Sequence, residues 1–223
     1  MRLIALVPIR HYSERVKGKN YKLFNGLPLF HWILKTLDQV QLVDKVLINT
    51  DSPIIINEAA TLSEKIVIKI RKKELCDDKT SMNEIISHDI NEHEADVYLQ
   101  THTTNPLLKP DTISRAITKL MSNNSSYDSL FSVTQTQIRL WTDDLQPINH
   151  NPNELIRTQD LPKVYEENSN IYLFSRKSFS KSGNRIGEAP YMFTMDRIES
   201  CDIDDINDFK IAETFHKIGY NNG

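Results

Sequence analysis

Over its first 120 residues the chain alternates short apolar runs with amphipathic stretches, and no other feature narrows the fold as far. Leu3 to Val7 is an apolar run that stops at Pro8, the pattern of a parallel strand buried on both faces. Pro28 opens a stretch with Phe30, Ile33, Leu34 and Leu37 at helical spacing. Lys45 to Thr50 predicts a second strand, after which Asp51 or Ser52 caps a helix carrying Ile56, Ala59 and Ala60. Ile66 to Ile70 predicts a third strand, and Thr80 or Ser81 caps a helix through Ile85, Ile86 and Ile90. Asp96 to Gln100 predicts a fourth, and Asp111 opens a helix through Ile113, Ala116, Ile117 and Leu120. Alternation with short loops predicts an open α/β layer on a mostly parallel sheet. Ligands of such sheets bind beyond the carboxyl ends of the strands. The loops to watch are therefore 9–20, 50–53, 71–81 and 100–106.

After residue 121 the rhythm breaks. Residues 122–126 (Ser-Asn-Asn-Ser-Ser) read as a turn, Leu130 to Thr134 and Asn170 to Phe174 as strands, and Ile206 to Ile218 as a terminal helix. Residues 136–167 hold Trp141 and three prolines with no clear period, which predicts an insertion or arm within a single domain spanning 1–223. The formal charge of −3 argues against a general nucleic-acid binder, although a local basic cluster stays possible. The longest apolar run, Leu3 to Ile9, is too short to span a membrane, and the opening residues lack the small-residue cleavage region of an export leader. Two distant cysteines, Cys76 and Cys201, exclude a disulfide framework and a cysteine-rich zinc site. A cytoplasmic protein is expected.

The loop after the first strand, Arg10 to Asn20, carries four of the chain's cations, Arg10, Arg15, Lys17 and Lys19, against the single acid Glu14. It has one glycine, Gly18, where the dinucleotide fingerprint needs three. Ser13-x4-Gly18-Lys19-Asn20 fails the Walker pattern at its first and last places. Arginine forks, lysine point charges and backbone N–H groups can still clamp a triphosphate. Composition leaves two readings open here, a phosphate clamp and a solvated basic loop.

At this loop the sequence resembles the sugar cytidylyltransferases, above all the acylneuraminate (CMP-sialic acid) synthetases. That family carries Ala-Arg-Gly-Gly-Ser-Lys-Gly-Ile-Pro-x-Lys-Asn after its first strand. Arg10, Ser13, Lys19 and Asn20 match it, while Glu14, Arg15 and Lys17 depart. Arg15, Gly18 and Lys19 match the loop of the related Kdo enzymes. Asn49-Thr50-Asp51 is similar to the family's Ser-Thr-Asp. Arg71 through Ser81 fits the cytidine-pocket segment Arg-Pro-x-x-Leu-x-x-Asp-x-x-Ser. Gln100 to Leu107 resembles Gln-Pro-Thr-Ser-Pro-Leu lengthened by one residue, and has no acid where the Kdo branch has Asp-Glu. Arg139-Leu140-Trp141, Arg157-Thr158-Gln159-Asp160 and Tyr165 to Ser169 resemble animal-type segments, in which Ser169-Asn170 replaces Gly-Ala or Gly-Ser. Ser200-Cys201-Asp202-Ile203-Asp204 matches Ser-x-Asp-Ile-Asp.

The resemblance implies a three-layer, Rossmann-like nucleotidyltransferase fold with a small dimerisation arm. It implies transfer of CMP from CTP to a nine-carbon 2-keto sugar acid, with pyrophosphate released. Arg10, Ser13, Lys19 and Asn20, with Arg15 as an extra, would hold the triphosphate and ribose, and Arg10 and Lys19 would stabilise charge at the reacting phosphorus. Arg71, Thr80 and Ser81 would line the cytosine pocket. Gln100, Arg157, Gln159 and Asn168 would meet the sugar acid. Asp202 and Asp204, two apart on a predicted strand end, would share a face and bind Mg²⁺. The alternative, that one of them caps the following helix, is better served by Asp205 and Asp208. His88 and His93 are five apart, wrong for a helical metal pair, and His102 receives no role. A homodimer is implied. Two rivals stand beside this reading: a Kdo or other sugar nucleotidyltransferase, and a non-catalytic nucleotide-binding subunit.

Overall fold

The computed structural model describes residues 1–77, 79–122 and 126–219, so residues 123–125 of the expected turn and Asp78 lie outside it. Its centre is a seven-stranded sheet built from β1 (Leu3–Ile9), β4 (Lys45–Thr50), β5 (Ile66–Ile70), β6 (Val97–Gln100), β7 (Ser129–Thr136), β8 (Val164–Phe174) and β9 (Pro190–Thr194). A small hairpin of β2 (Leu23–Phe24) and β3 (Leu27–Pro28) stands apart. The order across the sheet is β5-β4-β1-β6-β8-β7-β9, and β8 alone runs antiparallel to its neighbours.

The helices are α1 (Leu29–Gln39), α2 (Pro53–Ala59), α3 (Met82–Glu92), α4 (Pro110–Met121), α5 (Arg176–Ser182) and α6 (Ile206–Lys217). Alternate residues of β1 decide the layers. Leu3, Ala5, Val7 and Ile9 pack with α1, α2 and α4, while Ile4 and Leu6 pack with α3 and α5 on the opposite face. A third cluster joins Phe24, Leu29, Leu107 and Ile203 to Phe209 and Ala212 of α6.

Several expectations shift for physical reasons. β1 continues through Pro8 to Ile9, because β6 pairs it only as far as Leu6 and the proline's missing N–H lies past that ladder. Ser52, not Asp51, caps α2, and Asp51 instead accepts 2.8 Å from the His11 N–H. Ser81 caps α3 in a capping box with Glu84. The irregular arm is shorter than 136–167: Thr136 ends β7 and residues 164–167 already belong to β8. Between these strands the register jumps, so that Phe131 faces Tyr172 while Val133 faces Glu167. The extra residues Asn168, Ser169 and Asn170 form a bulge, with Ser169 at φ +55°. Helix α5 and strand β9 escape sequence reading. The first is polar, and the second is an edge strand with only Phe193 buried.

From β1 the chain moves outward to β4 and β5, then returns to place β6 on the other side of β1. That reversal opens a crevice beyond the carboxyl ends of β1 and β6, where the loops 10–22 and 101–109 part.

Candidate active site

A cavity of about 300 Å³ fills this crevice. The first loop lines it with Arg10, Ser13, Arg15, Lys19 and Asn20. Arg71 and Thr80 come from the segment between β5 and α3, His102, Thr103 and Thr104 from the loop after β6, and Asp204 from the segment before α6. Four separate stretches of sequence thus converge on one polar, cation-rich concavity.

The first loop is held by its own turn chemistry. Gly18 sits at φ +67°, and a Cβ there would lie 2.7 Å from the Tyr21 ring, so this turn requires glycine. A 3-10 turn, Lys19–Tyr21, follows. Asn20 is buried and spends both ends of its amide on the protein. Its Nδ2 donates to the Arg10 carbonyl at 2.8 Å, and its Oδ1 accepts from Thr103 Oγ1 at 2.6 Å. It therefore stitches the loop after β1 to the loop after β6.

Lys19 Nζ donates to the Ile203 carbonyl at 2.5 Å. Burial pulls the Lys19 pKa down, against the upward pull of Asp202 and Asp204. Arg15 pairs with Asp204 at 2.7 Å, but both side chains are more than half exposed, at 64% and 59%. Such a pair is worth about 0–1 kcal/mol and exchanges readily for another anion.

Arg71 is 4% exposed. Its Nε donates to Asn49 Oδ1 at 2.8 Å and its Nη2 to the Asn49 carbonyl at 2.9 Å. Its buried Nη1 has no hydrogen-bond partner among the described residues. Burial lowers the guanidinium's pKa, opposed by Asp51 and Asp89. Behind it, Asn49 Nδ2 donates to buried Asp89 at 2.6 Å, and Lys69 bridges Asp89 at 3.2 Å and Glu92 at 2.8 Å. Sequence reading missed this backing, although its signals were present: a lysine inside the apolar strand Ile-Val-Ile-Lys-Ile, and an aspartate on the apolar stripe of α3. Thr80 lines the cavity; Ser81 does not, because its hydroxyl accepts from the Glu84 N–H at 3.2 Å as the helix cap.

The four residues assigned to the sugar acid separate. Gln100 and Asn168 are buried, Arg157 and Gln159 are exposed on the arm, and none of the four lines the cavity. Arg157 forks onto Asp160 at 2.6 and 3.1 Å. Asn168, within the bulge, accepts from Ser132 Oγ at 2.6 Å and donates to Thr134 Oγ1 at 3.0 Å. Gln100 Oε1 accepts from Arg185 Nη1 at 2.7 Å. Arg185 also went unread in the sequence: its guanidinium lies 3.6 Å from the centre of the Tyr172 ring, and Tyr172 in turn donates to Glu167. No local pattern marks Arg185, since only the return of β8 brings it against β6.

Residues 201–204 are irregular rather than a strand end, which removes the period-two argument for a shared face. Asp202 is partly buried beside Asn105 Nδ2 at 3.3 Å, and only Asp204 lines the cavity. The Asp208 carboxylate accepts from the Asp204 N–H at 3.1 Å, which fixes this turn, and Asp205 caps α6. Burial, and after it the neighbouring Asp204, raise the Asp202 pKa, so a cation there relieves both. Among the described residues no group of three or more His, Cys, Asp or Glu side chains converges. Two hard carboxylate oxygens fit Mg²⁺, which characteristically takes one or two carboxylates and completes its shell with water and substrate phosphates.

A cytidylyltransferase family profile matches residues 4–219. Pseudaminic acid cytidylyltransferase of Campylobacter jejuni is 25% identical over 99% of this chain and 98% of that protein. N-acylneuraminate cytidylyltransferase B of Danio rerio is 31% identical over 94% of this chain, which spans 50% of that longer protein. A solved structure of CMP:2-keto-3-deoxy-manno-octonic acid synthetase complexed with CTP superposes with a TM-score of 0.70 over 98% of this chain and 99% of its own, at 13% identity. The sheet order and layers are thus those of a three-layer, Rossmann-like nucleotidyltransferase. With the profile spanning nearly every residue, the chain belongs to the cytidylyltransferase family, a class of nucleotidyltransferases.

Proposed function

We propose that the chain transfers the cytidylyl group of CTP to a nonulosonic acid, a nine-carbon 2-keto sugar acid of the sialic or pseudaminic type. The sugar's anomeric oxygen forms a bond to the α-phosphorus, the bond from that phosphorus to the bridging oxygen breaks, and pyrophosphate leaves with its electron pair. The hydroxyl proton passes to solvent. The observation that carries this reading is the buried Nη1 of Arg71, which has no partner among the described residues and lies on the same cavity as Arg10 and Lys19. A buried donor without an acceptor costs about 1–3 kcal/mol, which a bound nucleotide's acceptor recovers.

Arg71 and Thr80 form the base end of the site, and Ser81 acts through the cap that fixes this wall. Arg10, Ser13, Arg15 and Lys19 hold the triphosphate, with Asn20 as the tether of their loop. Arg10 and Lys19 offset charge as it moves onto the leaving pyrophosphate. Asp202 and Asp204 would hold Mg²⁺, which when bound supplies Lewis acidity and shields the triphosphate. Gln100 and Asn168 shape the sugar side from within. Arg157 and Gln159 serve the site of a second copy, because the arm carries exposed Trp141, Leu145, Ile148 and Leu155 suited to a homodimer contact.

A Kdo-type substrate is the second reading, and the absence of an acid between residues 100 and 106 disfavours it. No helix among the described residues is long and apolar enough to cross a membrane. The test is pyrophosphate release with Mg²⁺ and CTP against neuraminic, legionaminic, pseudaminic and Kdo acids. Release that needs both CTP and a nine-carbon acid supports the reading. Release with Kdo alone, or with no acid on the panel despite a folded protein, overturns it.

A further inference from the structure

The hydrogen bonds around Gln100 determine where a proton sits on a neighbouring ring. Arg185 can only donate, so the 2.7 Å bond from its Nη1 requires the carbonyl oxygen of Gln100 on that side. The amide nitrogen of Gln100 then faces the other way. There it meets the Thr101 carbonyl at 3.2 Å, itself an acceptor, and His102 Nε2 at 2.8 Å. Two independent neighbours, a donor on one side and an acceptor on the other, agree on this orientation. Since Gln100 Nε2 donates, His102 Nε2 must accept, and a neutral imidazole that accepts at Nε2 carries its proton on Nδ1.

The surroundings keep the ring neutral. Burial, then Arg185, then Lys19 push the His102 pKa down to about 3. Arg185 is in turn locked, stacked on the Tyr172 ring with its Nη2 3.9 Å from Glu167. His102 lines the cavity. It is therefore a neutral N–H donor in the positive field of two cations, a setting suited to an anionic oxygen.

We propose that Arg185, acting through Gln100, holds His102 in its Nδ1–H form, and that this N–H donates to an anionic oxygen of the bound substrates. Arg185 and Gln100 are positioning residues in this scheme and His102 the contacting one. The anionic oxygen belongs either to the triphosphate or to the sugar carboxylate. The inference rests on the cytidylyl-transfer reading for the identity of that oxygen, but the tautomer does not depend on it.

The test is nitrogen-15 NMR of the full chain labelled at histidine. His102 should show a protonated Nδ1 and a bare Nε2, unchanged between about pH 5 and 8. Gln100→Glu, whose carboxylate can only accept from the ring, should shift the proton to Nε2 or charge the imidazole; Arg185→Met should leave a mixture of tautomers. A wild-type ring protonated at Nε2, or titrating near its ordinary value, overturns the proposal. It needs no activity, and so separates this idea from the functional reading. CTP alone moving the Nδ1 resonance assigns the contact to phosphate. Movement only on adding N-acetylneuraminate or pseudaminate to the CTP complex assigns it to the carboxylate. No movement with any of them refutes the contact. A chemical check uses the two amides. Asn places its nitrogen near the position of Nδ1, and Gln near that of Nε2. His102→Asn should hold the affected Kd or KM within about threefold, whereas His102→Gln should raise it about tenfold or more. Equal losses in the two variants count against the Nδ1 contact.

Discussion

Replacing Asn20 by Ala should loosen the nucleotide site without any direct contact to nucleotide being lost. The side chain makes two bonds across the crevice, at 2.8 Å to the Arg10 carbonyl and 2.6 Å from Thr103 Oγ1. Each is worth about 1 kcal/mol net, so about 2 kcal/mol of the loop's closed arrangement is removed. If the freed loop spends most of its time in conformations unable to bind, CTP affinity falls by up to about 30-fold, since each 1.4 kcal/mol is tenfold. Calorimetric titration of CTP reads this directly. Thr103→Val removes one of the two bonds and should weaken binding about fivefold. In the double variant Thr103→Val should add almost nothing, because its partner is already gone. Unfolding should shift only slightly, as the loop lies outside the three packed clusters. Undiminished CTP affinity in Thr103→Val, with a loss confined to Asn20→Ala, would mean that Asn20 touches nucleotide itself and that the tether argument is wrong.

Arg71→Met should cost about tenfold or more in CTP affinity, read by the same calorimetry, because it deletes a buried donor on the cavity wall that has no partner among the described residues. Asp204→Ala should lower turnover about a hundredfold and raise the Mg²⁺ needed for half-activity, with the circular dichroism spectrum intact; normal Mg²⁺ dependence would reject the carboxylate assignment. Ser169→Gly should stabilise the fold by about 1 kcal/mol in urea titrations, since Ser169 sits at φ +55°. The His102 pKa, held at about 3 in the fold against 6.5 ordinarily, makes the unfolded chain bind a proton the folded one refuses. Its contribution is therefore complete above about pH 6.5 and lost as pH falls, by about 1.4 kcal/mol between pH 7.5 and 5.5. Urea titrations of His102→Asn should lack that increment.

What the sequence shows and what it hides divide along a physical line. Strands β1, β4 and β5 and helices α1, α3 and α4 are legible because each buries a periodic apolar face, and that face is written locally. The first loop is legible as a cluster of cations because its chemistry lies in consecutive residues. Arg185, Gln100 and His102 are not legible as a unit, because β8 must return antiparallel between β6 and β7 before residue 185 can reach residue 100. The same holds for Arg71, Asn49, Asp89 and Lys69, which two strands, β4 and β5, and one helix, α3, bring together from about 40 residues of sequence. Asp202 and Asp204 show the converse. Their spacing invites a strand, but Ile203 between them is drawn into the cluster of α6 and its N–H donates to the Thr104 carbonyl at 2.9 Å. That bond, not a pleat, turns one carboxylate inward toward Asn105 and leaves the other on the cavity. The contacts that set reactivity here are therefore long-range polar ones, each weak alone, which a sequence pattern built on burial has no means to register.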